Sequence, residues 1–325
     1  MELLTFSLAP PEAVSLRLLH NNCFFTSKYF GFHNTMIDFT PKHDYLVGID
    51  SDGCAFDTME LKHKECFIPN IINHYELQGV SKYAREAAEF VNLYSKSRGI
   101  NRFPALVEVF EWLNRRPEVK ARGYNIDIPQ SLRDWIKRET KLGNPALEKE
   151  VERSGDANLK HALEWSKAVN HSIAGMVRGV PPFPFVRESL EKLCARADVL
   201  VVSATPHEAL QREWEEHDLA RYTVAICGQE IGTKRESLAA AAKYPAGHTL
   251  MIGDAPGDHK AAVANHALFF PINPGAEETS WRRFFEEGID RFFAGTFAGE
   301  YEAALLAEFD RHLPERPPWE GVASG

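Results

Sequence analysis

The chain has 325 residues, which at roughly 150 residues per domain predicts about two domains. Apolar residues make up 44% and charged residues 26%, values typical of globular proteins, so the composition excludes the disordered, collagen-like and disulfide-scaffold classes. The net charge of −9 argues against a nucleic-acid backbone or an anionic membrane surface as the main partner.

The cysteines and the apolar segments bear on the compartment. The five cysteines are odd in number and include no CxxC pair, so the sequence indicates neither a disulfide framework nor a thiolate zinc site. No stretch approaches about 18 consecutive apolar residues, and residues 1–20 lack the cationic segment and apolar run of a signal peptide. We therefore expect a soluble protein of the cytoplasm, where thiols stay reduced.

The N-terminal part of the chain divides into an irregular segment and a strand. Residues 1–35 have no clear period, and we predict that they form an extension. Three alternatives stay open for it: a packed segment, a mobile arm, or a start site placed too early. Residues 45–50 form a continuous apolar run that ends at a carboxylate. Such a run is typical of a parallel strand buried on both faces.

Residues 54–179 contain only helical patterns, in which apolar or small residues recur at helical spacing. Helices are predicted at residues 80–96, from Pro104 onward, at 131–141 and at 158–176, before a Pro-rich linker at 179–184. Pro104 is compatible with a helix start because its missing N–H costs nothing in the first turn. This part of the chain is therefore predicted to be a block of helices.

After the linker, helices alternate with apolar strands. Helices are predicted at residues 185–197, 206–217, 235–243 and 257–265, and strands at 199–202, 222–226, 249–252 and 268–271. This alternation predicts an α/β fold with a doubly wound parallel sheet. The strand at 45–50 has no partner nearby in sequence, so we assign it to the same sheet and the helical block becomes an insertion. Residues 276–325 are predicted to form a helical, partly aromatic tail.

Polar side chains follow three of the predicted strands, at the sheet edge where ligands bind in open α/β sheets. The four carboxylates, the hydroxyl and the lysine are Asp50, Asp52, Asp254, Asp258, Ser203 and Lys234. Four unpaired carboxylates at one edge would repel each other, which predicts a cation, and oxygen ligands favour Mg²⁺. Two alternatives stay open: Ser203 only caps the next helix, or Arg235 takes the place of Lys234.

This ordered set resembles the haloacid dehalogenase (HAD) superfamily of phosphohydrolases, which includes phosphoglycolate phosphatase and beta-phosphoglucomutase. The matching motifs are an apolar strand then DxDG at 50–53, a strand then Ser203, the lysine Lys234, and GDxxxD at 253–258. The resemblance implies a Rossmann-like core with a large inserted α-helical cap domain. The implied parts are the extension at 1–35, a core at 36–54 and 180–275, a cap at 55–179, and a C-terminal helical extension at 276–325.

The resemblance also implies a role for each residue. Asp50 would attack phosphorus and form an aspartyl-phosphate, while Ser203 and Lys234 would hold the charge of the transferring group. Asp52 would protonate the leaving oxygen and then deprotonate the attacking water. The groups that would bind Mg²⁺, or orient its water or the lysine, are Asp50, the backbone carbonyl of Asp52, Asp254 and Asp258.

Substrate-binding residues are expected in the cap, again by resemblance. Thr58 belongs to an Asp-Thr pair that a His commonly follows by four residues in this group; here that place holds Lys62, and His63 comes one residue later. Arg98 and Arg102 lie in a stretch that resembles the cap turn offering an Arg to the distal group of the substrate, and Arg102 is the first choice. The alternative is that both arginines are solvated on a helix connection.

The implied function is a Mg²⁺-dependent phosphatase for a small phosphorylated metabolite, with neither nucleic acid nor membrane as partner. A phosphomutase is the nearest alternative, because the same DxD motif and cap serve both reactions. Dehalogenase and phosphonatase activities fit less well, since those chemistries replace Asp52 with another residue type. An alternative from a different class is a non-catalytic protein that binds a partner through aromatic tail residues, namely Trp281, Phe284, Phe285, Phe292 and Phe293. The sequence predicts neither the substrate nor the oligomeric state.

Overall fold

Five short apolar strands form one parallel sheet in the order β3-β2-β1-β4-β5. Their bounds are β1 Tyr45–Ile49, β2 Ala197–Val202, β3 Ala225–Cys227, β4 Thr249–Gly253 and β5 Leu268–Pro271. The structure is a computed structural model that describes residues 39–320, so the predicted extension at 1–35 lies outside the described residues. In the central strand, Ile49 lies opposite Val201 of β2 and Ile252 of β4. The prediction that the first strand joins the later sheet is confirmed.

The helical insertion, residues 55–179, lies between β1 and β2 in the chain. Its helices are α1 Thr58–Leu61, α2 Ile68–His74, α3 Ser81–Leu93, α4 Arg102–Arg115, α5 Pro117–Ala121, α6 Gln130–Arg138, α7 Asn144–Ser154 and α8 Ala157–Met176. A π-helical segment, Lys62–Phe67, joins α1 to α2. The side chain of Asn101 caps α4 by accepting from Phe103 N, so this helix begins before the predicted Pro104.

The remaining helices alternate with the strands and then follow them. They are α9 Val186–Leu193, α10 His207–Glu216, α11 Lys234–Ser237, α12 Pro256–Ala264, α13 Glu277–Arg283, α14 Ile289–Phe293 and α15 Glu300–His312. The predicted helix at 235–243 is α11 followed by the 3₁₀ segment Leu238–Lys243. The predicted strand at 222–226 begins only at Ala225, because the 3₁₀ turn Ala220–Tyr222 occupies its expected start.

Apolar packing divides between the sheet and the helical insertion. Along β1 the side chains alternate, so Val47 and Ile49 pack on one face of the sheet and Leu46 packs on the other. The helical insertion buries a separate cluster that includes Phe103 and Trp135. The insertion therefore has a hydrophobic core of its own, and the sheet can present its strand ends towards it.

The aromatic C-terminal segment packs against the sheet. Trp281 and Phe284 are fully buried, and Phe292 is 1% exposed. The indole Nε1 of Trp281 donates to the carbonyl of Cys54 over 2.7 Å, directly after the DxDG motif. Buried aromatic side chains stabilise a core through the large area that they remove from water. These three residues are therefore not a surface for a partner.

Two further observations concern the described part of the chain. Its four cysteines, Cys54, Cys66, Cys194 and Cys227, carry free thiols. Within residues 39–320 no helix combines the length and the apolar composition that a membrane crossing requires.

Candidate active site

The ends of β1 and β4 bring three carboxylates together. Asp50 follows β1, Asp254 follows β4, and Asp258 lies in the first turn of α12. One oxygen of each lies within 4.8 Å of the other two, and all three side chains are buried. Parallel strands end at the same edge of a sheet, so the strand order places these groups side by side. We call these three residues the carboxylate cluster.

Lys234 is the cation that contacts this cluster from α11. A capping box at 233–236 fixes the start of that helix. The Nζ of Lys234 lies 2.6 Å from Asp50 Oδ2 and 2.6 Å from Asp258 Oδ1. Arg235, the alternative candidate, is exposed. The structure therefore places Lys234, and not its neighbour, against the carboxylates.

Burial and mutual repulsion shift the pKa values of these groups. Burial raises the pKa of Asp50 well above its ordinary value. The Lys234 ammonium lowers this pKa, whereas the carboxylates of Asp258 and Asp254 raise it further. Burial also raises the pKa of Asp258. Burial alone would lower the pKa of Lys234, but the carboxylates of Asp258 and Asp50 raise it. A further cation would lower the raised carboxyl pKa values.

Asp254 carries an oxygen that is suited to a metal ion. Its Oδ2 accepts from Arg98 Nε over 2.6 Å, whereas its Oδ1 is buried and has no hydrogen-bond partner among residues 39–320. A buried carboxylate oxygen without a partner is costly unless a cation binds it. Carboxylate oxygens are preferred ligands of Mg²⁺, so Asp50, Asp254 and Asp258 fit that ion.

Two motif glycines leave the space that this cluster needs. A Cβ on Gly53, whose φ is +76°, would lie 2.5 Å from Arg98 Nη2 and 2.8 Å from Asp254 Oδ2. A Cβ on Gly253 would lie 2.4 Å from the Cβ of Asp258. Both positions therefore require glycine, and at Gly53 the backbone conformation requires it as well.

Asp52 is held by donors from three segments of the chain. Lys62 Nζ lies 2.5 Å and 2.6 Å from its two oxygens, Thr205 Oγ1 donates to Oδ2 over 2.7 Å, and Thr58 Oγ1 donates to Oδ1. Burial alone would raise the pKa of Asp52, but the Lys62 ammonium and the two hydroxyls lower it to about 2. Asp52 is therefore a carboxylate at neutral pH. Thr58 thus contacts Asp52 in this structure, where a substrate contact was predicted.

Ser203 lies at the end of β2, where its side chain is buried and lines the cavity described next. Its Oγ accepts from Thr205 N over 3.2 Å, two residues before α10 begins at His207. The hydroxyl therefore stabilises the turn that leads into the helix, and its own hydrogen is left to donate towards the cavity.

A cavity of about 630 Å³ is lined by the strand ends and by the helical insertion. The strand-end side contributes Asp50, Asp52, Ser203, Thr205, Lys234 and Asp254, and the helical insertion contributes Met59, Lys62, His63, Phe67, Ile100 and Arg102 among others. Small-molecule sites usually measure about 300–1,000 Å³, and this cavity falls within that range. The cavity therefore has room for a phosphate group and a larger organic part.

Arg102 faces this cavity without an acidic partner. Its Nη1 donates to Asn170 Oδ1 over 2.7 Å and to Ser166 Oγ over 3.0 Å, and its guanidinium lies 5.0 Å from the centre of the Phe67 ring. Its hydrogen-bond partners among residues 39–320 are all neutral, and burial lowers its pKa to about 10. A desolvated guanidinium with only neutral partners is suited to an anionic ligand.

His63 also lines the cavity, stacked on Phe67 with 4.6 Å between the ring centres. Its Nδ1 is buried and has no hydrogen-bond partner in the described part of the chain. Burial, followed by the positive charges of Arg98 and Lys62, lowers its pKa to about 3. His63 is therefore neutral, and its contribution to a ligand is that of an imidazole without charge.

Arg98 is placed differently from its predicted role. Its side chain is 1% exposed, pairs with Asp254 and donates through Nη1 to Leu93 O over 2.7 Å. It is absent from the cavity wall, so it does not meet the distal part of a ligand there. The reason is geometric: the turn between α3 and α4 points this residue at the end of β4.

Three residues at the site carry contacts that the sequence analysis did not assign: Lys62, Thr205 and Glu213. The sequence could have indicated Lys62, because it lies four residues after Thr58 and residues with this spacing share one helix face. Glu213, on α10, accepts from Ser51 Oγ over 3.0 Å. Burial and then the Asp52 carboxylate raise its pKa to about 7, although Lys62 lowers it. Glu213 reaches the site through packing alone, and no sequence pattern indicates it.

No protein-family model matches the chain, and no curated protein does either. Similar solved structures include a provisionally assigned phosphoglycolate phosphatase from Lactobacillus delbrueckii subsp. bulgaricus, with 16% identity over 70% of this chain and 85% of that chain, TM-score 0.41. A HAD-superfamily hydrolase from Geobacter sulfurreducens has 14% identity over 71% and 88%, TM-score 0.36. A provisionally assigned beta-phosphoglucomutase from Bacteroides vulgatus has 13% identity over 78% and 92%, TM-score 0.41. In each of these comparisons the identity is 16% or less and the TM-score is 0.41 or less.

Proposed function

We propose that this protein is a Mg²⁺-dependent phosphohydrolase that cleaves a phosphate monoester through an aspartyl-phosphate on Asp50. The observation that carries the proposal is the contact of one lysine, Lys234, with both Asp50 and Asp258, beside the unpartnered Oδ1 of Asp254. In-line phosphoryl transfer needs a nucleophile, a fixed positive charge and a carboxylate oxygen that is free for a cation. The order of the four sequence motifs supports the same assignment.

In the first half-reaction an oxygen of Asp50 attacks phosphorus, and the bond between phosphorus and the alcohol oxygen breaks. The groups that would hold Mg²⁺ are Asp50, Asp254 and the backbone carbonyl of Asp52, and the ion would reduce the repulsion between the carboxylate and the phosphate dianion. Lys234 Nζ and Ser203 Oγ donate to the phosphoryl oxygens, whose negative charge they stabilise in the transition state.

Lys62 and Asp52 donate and accept the protons in the two half-reactions. Because Asp52 is held as a carboxylate, the proton of this pair resides on Lys62, so we assign protonation of the departing oxygen to Lys62 and not, as the resemblance implied, to Asp52. In the second half-reaction a water molecule attacks the phosphorus of the aspartyl-phosphate and Asp52 accepts its proton. The bond between phosphorus and Asp50 breaks and orthophosphate leaves. Transfer of the proton from Asp52 to Lys62 restores the pair.

The proposed substrate is a small phosphorylated metabolite whose alcohol part occupies the cavity. The apolar residues Phe67 and Ile100 in the cavity wall suit its carbon skeleton, and Arg102 suits a distal carboxylate, phosphate or hydroxyl group. The volume of about 630 Å³ allows an alcohol part larger than a two-carbon acid.

The deciding experiment is release of orthophosphate from an aryl phosphate and from a panel of sugar and acid phosphates, each with and without Mg²⁺. Phosphate release that requires Mg²⁺, together with acid-stable trapping of phosphate on Asp50 after rapid quench, is the expected result. An isomerised phosphate ester without free phosphate would indicate the phosphomutase alternative. Absence of turnover on every substrate, with the fold intact, would favour a binding protein.

A further inference from the structure

One buried ion pair connects the helical insertion to the carboxylate cluster. Arg98 Nε lies 2.6 Å from Asp254 Oδ2, and both side chains are 1% exposed. The guanidinium is fixed from its own side too, because its Nη1 donates to Leu93 O at the end of α3. A residue of the insertion thus contacts the very carboxylate whose other oxygen has no partner.

The formal charges of the side chains that contact one another in this region do not sum to zero. When its three carboxyl groups are ionised, the carboxylate cluster contributes three negative charges, and Lys234 and Arg98 contribute two positive ones. Asp52 and Lys62 form a separate neutral pair. Asp57, Glu60 and Glu277 also feel the charge of Arg98 without a direct contact to it among residues 39–320, and Glu277 Oε1 accepts from Gly275 N. The cluster together with its two cations therefore has a net charge of about −1.

We propose that Arg98 is a positioning and charge-balancing residue of the metal site. It holds Oδ2 of Asp254 and leaves Oδ1 to the cation, while its positive charge weakens Mg²⁺ binding and strengthens binding of the phosphoryl dianion. This inference rests on the proposed Mg²⁺-dependent phosphohydrolase.

The two opposite effects follow from the charge count. With Arg98 in place, a divalent ion changes the net charge from −1 to +1, and this positive site attracts a phosphate dianion. A neutral residue at position 98 gives −2 before the ion binds and zero afterwards. The neutral variant therefore binds Mg²⁺ more strongly, and its Mg²⁺-loaded site attracts phosphate less. A residue that only supports the fold would change both affinities in the same direction or neither.

The experiment compares Arg98→Gln, which keeps a donor for Asp254 but removes the charge, with Arg98→Lys, which keeps the charge. Isothermal titration measures binding of Mg²⁺ alone, and then of inorganic phosphate at saturating Mg²⁺. For Arg98→Gln we expect about tenfold tighter Mg²⁺ binding and about tenfold weaker phosphate binding. For Arg98→Lys both affinities stay within about threefold of the wild type.

Arg116→Gln is the matched control, because Arg116 is another buried arginine of the helical insertion and pairs with Glu86, away from the carboxylate cluster. It should leave both affinities unchanged. If Arg98→Gln does not fold without metal, Arg98→Met replaces it, and both are refolded with Mg²⁺. Failure of both neutral variants to fold with Mg²⁺ contradicts the proposal, because the ion should replace the missing charge.

The remaining outcomes separate this inference from the proposed function. Weakening of both affinities in Arg98→Gln, or no change in either, would overturn the role of Arg98 and leave the phosphohydrolase proposal standing. A wild-type protein that binds no Mg²⁺ by titration would overturn both.

Discussion

Lys62 Nζ contacts both carboxylate oxygens of Asp52, at 2.5 Å and 2.6 Å, so a single salt bridge joins the start of the helical insertion to the DxDG motif. The lysine stands four residues after Thr58, on the same side of the helix. An ammonium keeps its charge over the whole physiological pH range, whereas an imidazole does not. In the empty site Asp52 is therefore a carboxylate over the whole physiological pH range.

Lys62→Met should raise the pKa of Asp52 from about 2 to above its ordinary value, because burial then acts without the ammonium. Above its unfolded pKa of about 3.9 the wild-type carboxylate stabilises the fold, and this contribution disappears only as the pH falls through about 2. In a ¹³C NMR titration of the metal-free protein from pH 7 to pH 4, the Asp52 carboxyl should therefore stay ionised in the wild type and become protonated in Lys62→Met. Lys62→Arg is the control that keeps the charge; identical titration of Asp52 in the wild type and in Lys62→Met would contradict the prediction.

Asp50→Asn should abolish turnover and leave the fold intact, because the amide keeps the shape of the side chain and loses the nucleophile. Phosphate release and thermal unfolding are measured on the same preparation. Asp44→Asn, an exposed position just before β1, serves as the control and should keep full activity. More than a trace of activity in folded Asp50→Asn would rule out the covalent mechanism.

Chelation should remove the activity and added Mg²⁺ should restore it, whereas Ca²⁺ should inhibit. Ca²⁺ prefers more ligands and looser geometry than an in-line displacement tolerates, while the three carboxylates suit the smaller ion. Turnover is measured after dialysis against chelator and after stepwise addition of each ion. Full activity in excess chelator would exclude the metal from the reaction.

Arg102→Ala should lower kcat/KM about 10- to 1000-fold for the best natural substrate, and less than about threefold for a small aryl phosphate. The first range corresponds to the loss of one charge-assisted hydrogen bond of roughly 1.5–3 kcal/mol or somewhat more. The exposed Arg235→Ala is the control. Equal losses on both substrates would place Arg102 in folding of the insertion, where it also contacts Ser166 and Asn170. No loss on either would contradict a substrate contact.

Glu213→Gln should remove part of the pH dependence of stability. The pKa of Glu213 is about 7 in the folded protein and 4.5 ordinarily, so between these values the native state holds a proton that the unfolded chain has released. Wild-type stability therefore falls as the pH rises through that window. Gln does not titrate, so the Tm of the variant relative to that of the wild type should increase from pH 5 to pH 8. Glu215→Gln, exposed on the same helix, should show no such increase.

The sequence was sufficient to predict the sheet and the residues at its edge. A strand buried on both faces is a continuous apolar run, and a parallel strand must end where its neighbours end. For that reason the runs before Asp50 and Asp254 predicted both the strands and the meeting of their carboxylates, as the 4.8 Å cluster shows. Lys234 followed from its motif position at the start of a helix.

Tertiary structure decided how the insertion meets this edge. Helical periodicity tells which face of a helix is buried, but it does not tell which distant residue lies opposite. Arg98 therefore could not be assigned to Asp254, which is 156 residues later in the chain, nor could Glu213 be assigned to Ser51. The sequence thus determined which side chains stand at the strand ends, because they follow locally from the strands, and only packing determined which charged residues and which cavity wall surround them.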